Sequence, residues 1–521
     1  MEFTPKLIDD LLDRAARDHA GHVAVVADGE RLTYEEFLER VERLAAGLQA
    51  LGVGPGERVA ILDKNGPRYL ELYFALPRIG AVAVPLNYRL AVPELAFILG
   101  DSKATTLFFG SEYAATVDTL RGELPALTRA VVFDGAAPNA LVFDAIMAPP
   151  GARARRPERH PDTVFLQMYT SGTTGRPKGA LLTHDNLVAN TLTALAERDY
   201  TSADRYLHVA PLYHIADLEL FFGMTFACAQ NVLVREFRPE RVLEVIQSER
   251  VTVSFLVPAM INALLEHPSF DAHDIASLRL IVYGGSSIPE DRLRTALARL
   301  PGKLAQGYGL TETSPLLCVL PSDDHVLEGP RARRIRSCGR PAHNVEVKIF
   351  DERDDECAAE QVGEIVARGR NVMQGYYERP EATAEALRGG WFHTGDLGFR
   401  DADGYVYIVD RKKDMIITGA ENVYPREVEE VLYTHPAVLD AAVIGVPSDR
   451  WGETIKAVVV LRGGRTVSER ELIDFARERL AHYKAPTSVD FVATLPRNPS
   501  GKVLKRQLRE PYWQGHARRV N

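Results

Sequence analysis

Apolar residues recur at helical spacing over residues 8–19 (IDDLLDRAARDH) and 34–51 (YEEFLERVERLAAGLQAL), and Gly52 ends the second stretch. Short continuous apolar runs follow, at 59–62 (VAIL) and 81–86 (AVAVPL), with another helical stretch at 69–79 between them. Such unbroken runs suit strands buried on both faces. The alternation continues through strands expected at 105–109, 130–133, 251–257 and 278–283. It predicts an α/β fold in which largely parallel sheets are flanked by helices.

The texture changes near residue 340. Residues 345–350, 364–368 and 404–409 read as strands separated by turn residues, which predicts a small β-rich subdomain over about 340–410. Beyond Arg411 a compact α+β segment follows, with helices at 425–434 and 468–480 and strands at 440–446 and 456–461. A chain of 521 residues exceeds one ordinary core. Two domains are therefore expected, 1–410 and 411–521, joined by a short charged hinge near 410–413.

Composition narrows the class. Hydrophobic residues make up 46% and charged residues 26%, as in ordinary globular proteins. The net charge of −9 gives no basic footprint for nucleic acid. No apolar run reaches the roughly 18 residues of a membrane span. Four scattered cysteines form no CxxC pair, which fits a reducing, cytoplasmic setting without zinc or disulfides. Met1–Pro5 has no basic, apolar leader pattern. The basic stretch 152–159 (ARARRPER) reads as a solvated loop.

The clearest chemistry lies at 169–180, Tyr-Thr-Ser-Gly-Thr-Thr-Gly-Arg-Pro-Lys-Gly-Ala. An apolar run at 164–168 precedes it, and Asp185 and Asn186 offer good caps for a following helix. Gly172, Gly175 and Gly179 let backbone approach a ligand. Thr170, Ser171, Thr173 and Thr174 add hydroxyls, and Lys178 adds positive charge. Together they suit a polyphosphate. The spacing is not that of a Walker loop, since Pro177 precedes Lys178 and Gly179 follows it.

This string resembles the signature loop of the adenylate-forming superfamily, which includes acyl-CoA synthetases, luciferases and peptide-synthetase adenylation domains. The resemblance extends over nearly the whole chain. It implies a large N-terminal domain, a small mobile C-terminal domain, and two half-reactions. An acid and ATP give acyl-adenylate and pyrophosphate; a thiol, usually that of coenzyme A, then takes the acyl group and AMP leaves.

Further motifs carry the resemblance in order. Gln306-Gly307-Tyr308-Gly309-Leu310-Thr311-Glu312 resembles the nucleotide motif. It implies that Tyr308 stacks on adenine, Thr311 reaches the α-phosphate and Glu312 holds Mg²⁺. Tyr283-Gly284-Gly285-Ser286-Ser287-Ile288-Pro289 resembles the segment along adenine and one wall of the acyl pocket. Asp396, in Thr394-Gly395-Asp396, implies ribose binding with Arg411 beside it, because a carboxylate accepts from two hydroxyls. His214 resembles the residue beside the substrate carboxylate. Lys502, in the loop 496–502, resembles the lysine that offsets charge as carboxylate meets phosphate. Lys413 matches the hinge, and Gly419 and Ala420 match the tunnel for the thiol arm, where relatives often carry Gly in place of Ala420.

The resemblance places the acyl pocket at His214, Asp217, Tyr283, Gly284 and Gly309, with further walls from 214–223, 257–261 and 307–317. Mostly apolar surroundings suit a medium or long fatty acid, or an aryl acid. Asp217 and Glu219 are unusual there. They either face solvent at a helix start, the preferred reading, or recognise a polar substituent. The leading expectation is an acyl-CoA ligase using ATP, Mg²⁺ and coenzyme A on a small-molecule carboxylic acid. Transfer to an amine or a carrier-protein thiol is the rival, and a homodimer stands as an open expectation. A non-catalytic relative is disfavoured by the intact Lys178, Glu312, Asp396, Arg411 and Lys502.

Overall fold

The computed structural model describes residues 4–170, 176–286, 288, 290–418, 421–448, 450–497 and 503–514. Among these, the first 400 or so residues build three sheets, one nine-stranded, one eight-stranded and one four-stranded. In the eight-stranded sheet, Arg58–Leu62 pairs in parallel with both Val82–Pro85 and Thr106–Phe109, and all are apolar runs buried on both faces. In the nine-stranded sheet, Val253–Leu256, Leu280–Gly284 and Lys303–Gly309 lie side by side in parallel. Helices cover both faces, as the sequence alternation predicts.

The helices start where local chemistry dictates. Tyr34–Ala50 opens on Thr33, whose side chain accepts from the Glu36 N–H while the Glu36 carboxylate accepts from the Thr33 N–H at 2.8 Å. The same box opens His184–Glu197, but its cap is Thr183, two residues before Asp185 and three before Asn186. Asn186 closes that box from the third helical position, accepting the Thr183 N–H at 2.9 Å.

The stretch 152–159 is not simply solvated. Arg159 donates to both Asp9 carboxylate oxygens at 2.8 Å and to the Pro77 carbonyl. Arg156 bonds Asp13 and Glu42. The buried Arg78 shares these acids, lying 2.7 Å from Asp13. Six acidic and basic side chains separated in sequence thus tie the loop to the first two helices, a partnership no local pattern reveals.

The region after 340 is an antiparallel four-stranded sheet of Glu346–Phe350, Gly363–Arg368, Phe392–Arg400 and Val406–Arg411. The third strand is not visible in the sequence, because FHTGDLGFR carries two glycines and no clean alternation. The last part of the chain forms its own sheet around the long pair Val438–Ser448 and Gly452–Leu461, covered by Pro425–Tyr433 and Glu469–Arg477. A further strand, Ser488–Phe491, and the helix Lys505–Trp513 join it; neither is expected from the sequence. No helix among the described residues is long and apolar enough to cross a membrane.

Candidate active site

The segments with candidate chemistry leave the carboxyl ends of parallel strands, where ligands of open α/β sheets sit. Val164–Thr170 runs directly into the Gly/Thr loop. Lys178–Thr183 returns antiparallel to it, so that Thr170 stands opposite Lys178. Lys303–Gly309 ends at the short turn Thr311–Thr313.

Glu312 joins two sheets. Its Oε1 accepts the Thr170 hydroxyl at 2.9 Å and the Tyr376 hydroxyl at 3.0 Å. Its carbonyl accepts from the Met373 N–H, and Asn371 donates to the Thr313 and Leu316 carbonyls, so the turn is pinned from behind. The side chain is 7% exposed. Lys178 Nζ stands 5.0 Å from the centre of the Tyr376 ring, a cation over a π face. Burial first, and then the neighbouring Glu312 carboxylate, push the Tyr376 hydroxyl far above its ordinary pKa, so it remains a donor. Tyr376 is absent from the sequence expectations; its only local signal is the aromatic pair after Gly375.

Asp396 joins the other pair of sheets. Its Oδ2 accepts the Tyr308 hydroxyl at 2.7 Å, and Arg411 Nε lies 2.7 Å from its Oδ1. Asp396 and Arg411 are direct cross-strand partners, which fixes this contact by register. The adjacent carboxylate raises the pKa of Arg411 further above its ordinary value. Glu312 therefore ties the eight-stranded sheet to the nine-stranded one, Asp396 ties the four-stranded sheet to the nine-stranded one, and the strand and turn 303–313 link them.

Glycines set the spacing between strands. Gly284 and Gly307 are register partners, and a Cβ on Gly284 would stand 2.4 Å from the Gly307 carbonyl oxygen. Gly285 follows with φ +77°, left-handed backbone that favours glycine. Gly309 is demanded by packing, since its Cβ would meet the Pro315 carbonyl oxygen at 1.6 Å. Gln306 accepts the Tyr283 hydroxyl at 3.3 Å. Ser286 lies at the strand exit, half-buried.

Two expected acyl-pocket side chains are interior. Tyr283 is fully buried among residues of helices 239–249, 258–265 and 290–299, its hydroxyl against Gln306 and His325. Asp217 is fully buried, accepting the Tyr206 hydroxyl at 2.7 Å, with His208 Nδ1 at 2.7 Å. The expected solvated helix start is wrong for Glu219 as well, which is 4% exposed and receives Arg198 Nη1 at 3.0 Å. Each acid has a partner from an earlier segment, and those partners bring it inside. His214 is the cap residue of the helix Ile215–Phe226, half-buried against Tyr213.

Lys413 lies in the short turn Lys412–Asp414 that follows Val406–Arg411. Arg509, on the last helix, donates to its carbonyl at 3.4 Å and lies 3.1 Å from Asp414. Ser171, Gly172, Thr173, Thr174, Gly175, Ser287, Pro289, Gly419, Ala420 and Lys502 lie outside the described residues. Among the described residues, no group of three or more His, Cys, Asp or Glu could cage a metal ion. A hard cation held by Glu312 would have to complete its shell from ligand oxygens, which a single carboxylate fits.

Strand exits, a hydroxyl-rich loop and two sheet-bridging carboxylates define a nucleotide-handling α/β enzyme. The family model for AMP-binding enzymes matches residues 12–377, and that for the AMP-binding enzyme C-terminal domain matches 427–502. The chain belongs to the AMP-binding enzyme family. It is 45% identical over 500 residues to a feruloyl-CoA synthase of an Amycolatopsis species, covering 96% of this chain and 98% of that one. Among solved structures, a Mycobacterium tuberculosis fatty acyl CoA synthetase matches at 34% identity and TM-score 0.78, covering 98% and 99% of the two chains. An amide bond synthetase from Marinactinospora thermotolerans matches at 32% identity and TM-score 0.88, covering 97% and 99%.

Proposed function

We propose that this chain is an ATP-dependent acid–thiol ligase that converts a small carboxylic acid to its coenzyme A thioester through an acyl-adenylate. The observation that carries the reading is the gathering of Thr170 and Tyr376 on Glu312, and of Tyr308 and Arg411 on Asp396, at the two ends of the segment 308–312. The family membership and the ligase relative named above support it.

In the first half-reaction an acid oxygen forms a bond to the α-phosphorus, and the bond to pyrophosphate breaks. Thr170, Lys178 and the loop 171–175 hold the phosphates; Thr311 donates to the α-phosphate. Tyr308, with Gly285 and Ser286 on one strand exit and Gln306 and Gly307 on the next, flanks the base. Asp396, steadied by Arg411, accepts from the sugar hydroxyls. Glu312 would hold Mg²⁺, which supplies charge neutralisation at the phosphates when bound. His214 orients the acid, and Lys502 offsets the two approaching negative charges. In the second half-reaction the thiol sulfur bonds to the acyl carbon, the acyl–phosphate bond breaks, AMP leaves and the thiol proton passes to solvent. The C-terminal unit turns about Lys413 between the two, Arg411 staying on its strand beside Asp396, and brings 418–425 to the thiol channel with Gly419 and Ala420 on its wall.

A panel of acids assayed for AMP release with and without coenzyme A tests this. Coenzyme A-dependent turnover is expected. Acyl-AMP release indifferent to coenzyme A, and restored by amines, would favour the second reading, which the amide bond synthetase structure supports. Lys502→Ala should abolish acid-dependent pyrophosphate exchange and spare thioester formation from supplied acyl-adenylate.

A further inference from the structure

Three side-chain hydrogen bonds converge on one turn, and the chemistry above uses none of them. The turn covers 209–214, between the strand Arg205–His208 and the helix Ile215–Phe226, and it ends on His214. Asn65 Nδ2 donates to the Ala210 carbonyl, and Asn65 Oδ1 accepts the Leu212 N–H, both at 2.9 Å. The Tyr73 hydroxyl donates to the Leu212 carbonyl at 2.7 Å. Asn65, Tyr73, Ala210 and Leu212 are all buried.

These bonds come from the other sheet. Asn65 lies just beyond Arg58–Leu62 of the eight-stranded sheet, and Tyr73 lies on the helix Pro67–Arg78 that follows. The turn leaves the nine-stranded sheet. The Asn65 N–H donates to the Arg235 carbonyl at 3.1 Å, just beyond the neighbouring strand Gln230–Leu233 of that same sheet. Asn65 therefore sits in the seam between the sheets and holds two strand exits of the facing one. A turn that runs through such a seam must have its backbone N–H and C=O groups paired. The amide supplies one donor and one acceptor on a single planar group, which matches the Ala210 carbonyl and the Leu212 N–H. Aspartate lacks the donor, leucine lacks both, and packing alone would demand neither.

The turn decides where His214 stands. The His214 N–H donates to the Pro211 carbonyl at 2.9 Å, so its backbone is tied to the segment that Asn65 and Tyr73 hold. We infer that Asn65, assisted by Tyr73, is a positioning residue for His214: it fixes the turn so that the imidazole meets the acid carboxylate in one orientation. This rests on the acid-activating reading above, in which His214 orients the acid. The hydrogen bonds of Asn65 go to this turn and to Arg235, and among the described residues none goes to a group placed at ATP. Loss of Asn65 therefore falls on the acid and spares the nucleotide.

The test reads pyrophosphate release with one accepted acid and ATP, each varied at saturation of the other. Asn65→Leu keeps the volume and removes both bonds; kcat/KM for the acid should fall about tenfold or more, the scale of lost buried hydrogen bonds, with the KM for ATP unchanged. Tyr73→Phe should act in the same direction, severalfold. Each change is then combined with His214→Ala. A residue that works through His214 adds no loss once His214 is gone, whereas independent effects multiply. Where Asn65→Leu does not fold, Tyr73→Phe carries both comparisons. A KM for ATP that rises in step with the acid effect, or losses that multiply in the combined variants, overturns the positioning role. His214→Ala as active on the acid as the wild type also overturns it, and leaves acid activation standing. A wild type that releases no pyrophosphate with any acid overturns the acid-activating reading and the positioning role together.

Discussion

Asp396 and Arg411 face each other across two antiparallel strands, with Arg411 Nε 2.7 Å from Oδ1 while Oδ2 receives the Tyr308 hydroxyl. Among the described residues each carboxylate oxygen has one side-chain partner and keeps acceptor capacity for a ligand hydroxyl. Asp396→Asn preserves the shape and removes the charge. Hydrogen bonds to charged groups contribute about 1.5–3 kcal/mol, so the KM for ATP should rise roughly ten- to a hundredfold. Steady-state kinetics at saturating acid measure this; an unchanged KM would remove Asp396 from sugar binding.

Glu312 is oriented by hydroxyls on two other strands, Thr170 and Tyr376. Glu312→Gln should lower the rate of pyrophosphate exchange by about two to three orders of magnitude, the usual scale for removing one preorganised electrostatic contact. Tyr376→Phe leaves the carboxylate but removes one donor, and should cost less than tenfold. A titration of exchange rate against Mg²⁺ separates the two. The Gln variant should need far more metal and the Phe variant about the same.

The hinge proposal gives a split phenotype. Lys413 sits between Arg411, held by Asp396, and Asp414, held by Arg509 on the last helix. Lys413→Pro fixes φ there. Pyrophosphate exchange should persist while thioester formation from supplied acyl-adenylate falls. Equal loss of both rates would count against a turning domain.

What the sequence discloses follows from the range of each signal. The motifs around Gly307–Glu312 and Asp396 are legible because each is a contiguous string with a definite chemistry. The parallel strands are legible because burial on both faces writes an unbroken apolar run, as at 59–62. Partnerships between distant segments are not written locally. Tyr376 reaches Glu312 from 64 residues away, and Arg198 meets Glu219 from 21. Asp217 and Glu219 therefore look like a solvated helix start until the residues that pair with them are placed. The strand Phe392–Arg400 was hidden for a different reason: its glycines serve close backbone contacts, as at Gly398, where a Cβ would meet the Tyr407 carbonyl oxygen at 2.5 Å.

Asp217 belongs to the interior, and substitution there should read as loss of stability. His208 offers Nδ1 to Asp217 and Nε2 to Asn231, and Asn231 is anchored to the Ala24 carbonyl. Asp217→Ala strands His208 and the Tyr206 hydroxyl without their acceptor. Removing one partner of such a buried network costs about 3–5 kcal/mol. The denaturation midpoint should drop accordingly, while the relative kcat/KM values across the acid panel stay as in the wild type. A changed acid preference would return Asp217 to the pocket.

His184 should make stability fall on the acid side of neutrality. Its ring is 1% exposed, stacked on Phe165, and its Nδ1 accepts the Ile8 N–H at 3.1 Å. That bond requires an unprotonated Nδ1. Burial, with a further push from Arg159, lowers its pKa from 6.5 to about 4. The unfolded chain takes up a proton below about pH 6.5, and the folded chain resists doing so until about pH 4. The unfolded state therefore binds more protons in that window, and stability is lost as pH falls through it. A shift of this size corresponds to about 3 kcal/mol when fully expressed. Urea midpoints measured from pH 7.5 to pH 4.5 should fall more steeply in the wild type than in His184→Gln, whose amide oxygen can accept the same N–H at any pH. Superimposable profiles for the two proteins would assign the acid sensitivity to other groups.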